Sequence, residues 1–145
     1  MRNLTRPLIA LGALLSFNVL AAEPMSVTLH KDPYCGCCTA YAEYLQENGF
    51  DVKMIDHNNM QPIKQQFGTA KAASCHTVEV GDYVVEGHVP VAAIERMLKE
   101  QPDIKGITLP GMPVNSPGMG PEKKGSLKIL SLDHQGNVQD LYMHL

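Results

Sequence analysis

Ser26-Val27-Thr28-Leu29-His30-Lys31-Asp32-Pro33-Tyr34-Cys35-Gly36-Cys37-Cys38-Thr39-Ala40-Tyr41 is the stretch on which the fold turns. Val27 and Leu29 alternate with polar neighbours, the period of a strand. Asp32-Pro33-Tyr34 is a turn. From Cys35 to Asn48 the period changes, with Cys38, Tyr41 and Leu45 at i, i+3 and i+7 on one helical face and Tyr44 beside them. Gly49 is suited to end that helix. A strand thus enters a helix through a turn that carries three of the four cysteines.

Farther along, Phe50, Val52 and Met54 alternate as a second strand. A short helix capped by Asn58 or Asn59 follows, with Pro62 in its first turn, Ile63 and Phe67 inward, and Gly68 as its stop. Residues 77–80 and 83–86 flank Gly81-Asp82, which predicts a hairpin. Pro90 opens a helix through Lys99 with Val91, Ile94 and Leu98 inward. The order β-α-β-α-β-β-α predicts an α/β, thioredoxin-like domain. In that fold a Cys-x-x-Cys pair sits where the first strand becomes the first helix, and Cys35 and Cys38 occupy those positions.

Residues 101–126 hold five of the ten prolines and five of the twelve glycines. This Pro/Gly/Met-rich loop contains Leu109-Pro110-Gly111-Met112-Pro113 and Ser116-Pro117-Gly118-Met119, a near-repeat of Pro-Gly-Met. Long irregular segments within compact domains are commonly functional. Residues 127–132 and 138–143 flank a turn at 133–137 and predict a C-terminal β-hairpin.

Residues 1–22 read as a cleaved secretory signal peptide. Arg2 and Arg6 give a positive start, residues 8–19 are mostly apolar, and Leu20-Ala21-Ala22 suits cleavage. The expected mature chain, residues 23–145, is a single domain without a transmembrane segment. Its net charge is −5, against −3 for the whole chain, because the signal removes two arginines and no acid. That balance argues against nucleic acid as a partner, since phosphate binding needs clustered Lys and Arg.

Four cysteines in an exported chain ordinarily suggest two disulfides. Here Cys35, Cys37 and Cys38 fall within four residues and Cys75 lies far off, a poor spacing for stapling and a good one for a site. Unpaired N–H groups at a helix start favour thiolate, which is both nucleophile and metal ligand. Redox exchange and metal binding therefore both remain open. Adjacent Cys37 and Cys38 diverge by roughly 100° on a helix, which is awkward for one tetrahedral ion and suits thiolates that bridge several. Soft thiolates select copper(I) ahead of zinc, and imidazole suits both metals. Cys75-His76 is the distant half of such a site. His88, in Glu86-Gly87-His88-Val89-Pro90, is a candidate ligand, outer partner or helix cap. Met112 and Met119 are soft thioethers that either touch copper or cover the core edge. His30, His57, His134 and His144 read as ordinary. Phosphate-loop, serine-elbow and His-Glu-x-x-His patterns are absent.

Residues 31–38, 74–77, 86–90, 109–113 and 116–119 together resemble the CopG-type copper-resistance proteins, a thioredoxin-like family long catalogued as uncharacterised and metal-binding. The likeness runs from about Met25 to Met119. It implies a periplasmic copper-binding protein that accompanies other copper-resistance proteins. Carried over by position, the implied metal ligands are Cys35, Cys37, Cys38, Cys75, His76 and His88. Gly68-Thr69-Ala70-Lys71 departs from the family, which often has Gly-Val-Pro there. The alternatives are a thiol-disulfide oxidoreductase with Cys35 as nucleophile and Cys38 as resolving thiol, and a disulfide-stapled binding module.

Overall fold

The computed structural model describes residues 23–72, 74–121, 123 and 125–145. The expected signal peptide lies outside them. The chain runs β1 (Met25–Lys31), α1 (Gly36–Glu47), β2 (Phe50–Asp56), α2 (Gln61–Phe67), a 3-10 turn (Ala70–Ala72), β3 (Thr77–Val80), β4 (Tyr83–Glu86), α3 (Val91–Glu100), β5 (Gly106–Thr108), β6 (Lys128–Leu132) and β7 (Val138–His144). The first seven principal elements follow the predicted order.

All seven strands join one sheet in the order β2-β1-β3-β4-β5-β6-β7. β1 runs parallel to β2 and antiparallel to β3, with His30 opposite Ile55 on one side and Thr77 on the other. β3 and β4 form the predicted hairpin, with Thr77 opposite Glu86.

Strand alternation sends side chains to two different faces. Val27, Leu29, Val78, Val80, Val85, Ile107 and Ile129 meet Tyr41, Ala42 and Leu45 of α1 and Ile94 and Met97 of α3 in the main core. Each fully buried Leu or Ile there contributes about 1.5–3 kcal/mol relative to exposure. The opposite face is smaller and more polar. Val84, Leu132 and Ala72 cluster there against Phe67 of α2.

The second strand forms as expected, with Met54 exposed on this edge strand. Two expectations need correction. On α2 the buried residue is Lys64, whereas Ile63 and Phe67 are only half-buried. Neither Asn58 nor Asn59 is the cap residue of α2, whose cap position is Met60, although Asn59 Oδ1 accepts the Gln61 N–H at 3.0 Å. The Pro/Gly/Met-rich loop also contains a strand, β5, buried throughout and parallel to β4. Glycine is required at its first position, since a Cβ on Gly106 would overlap the Val84 carbonyl oxygen.

No helix among the described residues is long and apolar enough to cross a membrane.

Candidate metal centre

The turn that leads into α1 is built by Asp32. Its carboxylate accepts the Tyr34 N–H at 2.8 Å and its carbonyl accepts the Cys35 N–H at 3.1 Å. Cys35 takes the cap position in extended conformation, without a side-chain capping bond. Cys37 and Cys38 lie in the first turn, where one side chain is half-buried and the other sealed in the core. Cys75 arrives on the segment between the 3-10 turn and β3, the strand next to β1. Its sulfur lies 3.8 Å from that of Cys37, which is 3.5 Å from that of Cys35. All four sulfurs lie within 4.8 Å of one another, the one set of three or more such ligand atoms among the described residues.

Cys35 and Cys38 are joined by a disulfide, and Cys37 and Cys75 are free thiols. This oxidised pair differs from the expectation of four free ligands. Cys35 and Cys38 supply thiolates only after reduction, because a disulfide sulfur carries no charge to donate.

Cys75 is held from behind by a buried polar network. Glu86, fully buried, receives Lys64 Nζ and the Ser74 N–H (3.0 Å) on one oxygen and Thr77 Oγ1 (2.6 Å) on the other. Thr69 bonds Thr77 in turn at 3.2 Å. Burial, reinforced by charge repulsion and hydrogen bonding with Cys37, pushes the Cys75 thiol up to about 12; nearby Lys64 opposes the rise and Glu86 adds to it. Without a metal this sulfur therefore holds its proton. The sequence gives little sign of the network. A lysine beside Ile63 and a glutamate at a strand end both look like surface residues until the hairpin register sets Glu86 opposite Thr77.

His76 and His88 stand apart from the four-sulfur set and belong to an aromatic group under α1. His76 stacks on Tyr41 with ring centroids 4.5 Å apart, and His88 meets His76 edge-on at 4.7 Å. Both are completely buried. Tyr41 donates to the Val89 carbonyl at 2.6 Å. His88 Nδ1 faces the Pro117 carbonyl at 2.8 Å, so Nδ1 carries the proton and Nε2 a lone pair. That Nε2 and both ring nitrogens of His76 lack a hydrogen bond of ordinary geometry. Burial first, then the neighbouring His88 and Lys64, holds the His76 pKa well below its usual value, with the Gly87 backbone opposing weakly. Burial lowers His88 likewise, against the Pro117 carbonyl. Both rings are neutral near pH 7, the form that binds metals.

The Pro/Gly/Met-rich loop straps across this region. Ser74 Oγ donates to the Gly111 carbonyl at 2.7 Å, and the Cys75 thiol meets the Met112 thioether at 2.6 Å. Ser74, Cys75, Gly111 and Met112 line an open hollow. Gly118 lies against the first turn of α1, where a Cβ would stand 2.8 Å from the Tyr41 nitrogen and 3.1 Å from the Cys37 carbonyl. Met112 thus reaches the sulfurs. Met119 is half-buried. His134 pairs with exposed Asp103 instead.

The family described as "Protein of unknown function, DUF411" matches residues 72–119, which span Cys75, His76, His88 and the strap. No match was found among curated proteins. A solved structure titled "Copper resistance protein copG- Form 2" is 34% identical, with a TM-score of 0.75, over 85% of this chain and 99% of that one. "Copper resistance protein copG- Form 1" is also 34% identical, with a TM-score of 0.73, over 85% of this chain and 98% of the other. Identity at that level across nearly the whole of both relatives places the chain: it belongs to the family of the copper resistance protein CopG.

Proposed function

We propose that this chain is an exported copper-handling protein of the periplasm. Residues 1–22 serve as its signal peptide. In its reduced state it takes up copper(I) through Cys35, Cys37, Cys38 and Cys75 in a sulfur-bridged site holding more than one ion. His76, next to Cys75 in the chain, and His88, packed on His76, are its nitrogen ligands. The observation that carries this reading is the meeting of Cys75 with Cys35, Cys37 and Cys38 inside 4.8 Å. Thiolates are soft donors and favour copper(I), with zinc second. His88 supports the assignment through its tautomer. Nδ1 bonded to a carbonyl leaves Nε2 as donor, which is how metal-bound histidines are usually held. A site with four sulfurs in one group, and with His76 next to Cys75 in the chain, suits several bridged ions better than one. The titles of the two similar structures agree with a role in copper resistance, so other periplasmic copper-resistance proteins are the natural partners. Capture of copper(I) by thiolates limits the free ion.

Anaerobic titration of the reduced protein with copper(I), followed by native mass measurement, tests this. More than one ion per chain is expected, and saturation at one ion would reject the bridged site.

The Cys35–Cys38 disulfide favours one further reading, a thiol-disulfide oxidoreductase. Two electrons and two protons convert that disulfide to two thiols, so copper uptake and disulfide exchange compete for the same sulfurs. If exchange is the function, metal-free protein reduces insulin disulfides, Cys35→Ser abolishes the activity, and Cys75→Ser leaves it intact.

A further inference from the structure

The α2 face of the sheet carries a second group of ligand-type side chains, separate from the sulfurs. His30 on β1 is 7% exposed. Its partner across the ladder is Thr77, and Glu79 stands two residues beyond on the same face. Its partner on the other side is Ile55, so His57, two residues on, shares that face as well. The backbone N–H of His57 bonds the Lys31 carbonyl at 2.8 Å, which ties the end of β2 to β1. His30 Nε2 lies 2.8 Å from Glu79 Oε1, and His30 Nδ1 lies 2.9 Å from His57 Nε2. The Phe67 ring closes one side, its centroid 5.0 Å from that of His30.

A hydrogen-bonded chain of this kind joins strands. Its order, though, is that of a carboxylate–histidine–metal arrangement. A carboxylate fixes one ring nitrogen, and the other nitrogen is turned toward a second imidazole. We propose that His30 and His57 form a second metal site, for a borderline divalent ion such as copper(II) or zinc(II), with Glu79 as the carboxylate that positions His30. An ion about 2.0 Å from each nitrogen spaces them about 2.8 Å at a right angle and about 3.3 Å in a tetrahedron. The present 2.9 Å lies within that range, so a pivot of the half-buried His57 ring admits the ion while the strands stay in place. His30 keeps its Nε2 proton on Glu79 and presents Nδ1. The proton on His57 Nε2 moves by way of solvent to its own Nδ1, so the ring stays neutral as the ion takes Nε2. No electron is transferred.

Only two protein ligands meet here, because the cysteines are the one set of three or more among the described residues. Water completes the coordination, and the site is weaker than a four-thiolate one. Imidazole favours divalent copper and zinc where thiolate favours copper(I). The sulfurs and this imidazole pair thus sort ions by softness.

The test uses the Cys37→Ser, Cys75→Ser protein, which retains the Cys35–Cys38 disulfide and has no free thiol. Copper(II) titration followed by electron paramagnetic resonance is expected to give one bound ion with two-nitrogen hyperfine structure. Adding His57→Gln is expected to abolish that signature. Adding Glu79→Gln is expected to keep the nitrogen pattern while weakening affinity about tenfold, the usual scale for removing an outer carboxylate. A merely structural Glu79 would leave affinity unchanged, and that result would remove it from the site. Unaltered binding in the His57→Gln protein overturns the proposal. Thiol-alkylated natural chain with zinc(II), observed by imidazole proton resonances, makes the same comparison without cysteine substitution. His30 and His57 are expected to shift together ahead of His134 and His144, and the opposite order overturns the site.

Discussion

His76 and His88 under α1, and His30 and His57 under α2, lie on opposite faces of one sheet and meet their polar needs in opposite ways. The α2 pair is satisfied, each ring bonded to the next and the chain ending on Glu79. The α1 pair has three buried nitrogens without a hydrogen bond of ordinary geometry, in rings that pack on Tyr41 and on each other. An unsatisfied buried donor or acceptor costs about 1–3 kcal/mol. A ligand bond offsets that cost, and beside four sulfurs a metal is the natural source of one. On the function proposed above, the first region is completed by what it binds, whereas the second is complete in its hydrogen bonds and can exchange one of them for an ion.

Between the two regions stands the Lys64–Glu86 pair, which holds residues 74–77 from the α2 side. Glu86→Ala leaves Lys64 buried and unpaired and is expected to cost about 3–5 kcal/mol. Denaturant unfolding measures it, and a loss below 1 kcal/mol on the same principle would mean that the pair does not hold Cys75 in place.

The strap gives the next largest effect. Gly118 has φ +77° and touches the backbone of Tyr41, whereas Gly125 has φ +74° with nothing near it. Gly125→Ala is expected to cost about 1 kcal/mol from backbone conformation alone. Gly118→Ala is expected to cost about 1–3 kcal/mol and to lower copper affinity, since the loop must lift from α1. Equal losses in thermal melts of the two variants would show that the strap does not press on the site.

Acid sharpens the comparison further. The Cys75 thiol, at about 12, is protonated throughout the physiological range. Copper must displace that proton, so affinity is expected to fall about tenfold for each unit of pH lost, per proton displaced. A flat profile between neutral and acidic pH contradicts cysteine ligation. Metal-free stability should fall with acid too. The folded pKa values of His76 and His88 lie below the ordinary 6.5, so below that pH the unfolded chain binds more protons than the folded one. The contribution is full above about 6.5 and is lost as pH drops below it. His76→Leu should flatten the acid limb, as seen by denaturation at pH 7 and pH 5.

Met112→Leu is expected to have the smallest effect. It removes a thioether from Cys75 while preserving bulk, and less than tenfold in copper affinity should follow, the modest share of one soft neutral donor. A competition assay with a copper(I) chelator resolves it.

Much of this was legible in the sequence because local periodicity and long-range pairing agreed. Val27 and Leu29 alternate where β1 runs, and Gly81-Asp82 sits where the hairpin turns. The neighbourhood of Cys75 could be anticipated from the position of its segment at the entry to β3. Three things were hidden for physical reasons. β5 has three residues in a Pro- and Gly-rich setting, too few for a period to show, and its identity comes from pairing on both sides. Lys64 and Glu86 look solvent-facing because charge predicts exposure unless the partner is known. His30 and His57, 27 residues apart, acquire meaning only when parallel pairing brings β1 beside β2.

Counting copper(I) on the reduced Cys75→Ser protein beside the unaltered chain, without oxygen, bears most directly on whether sulfurs from separate parts of the chain share one site. Fewer bound ions with an unchanged fold is the predicted result. The same number of ions in both proteins would contradict the account.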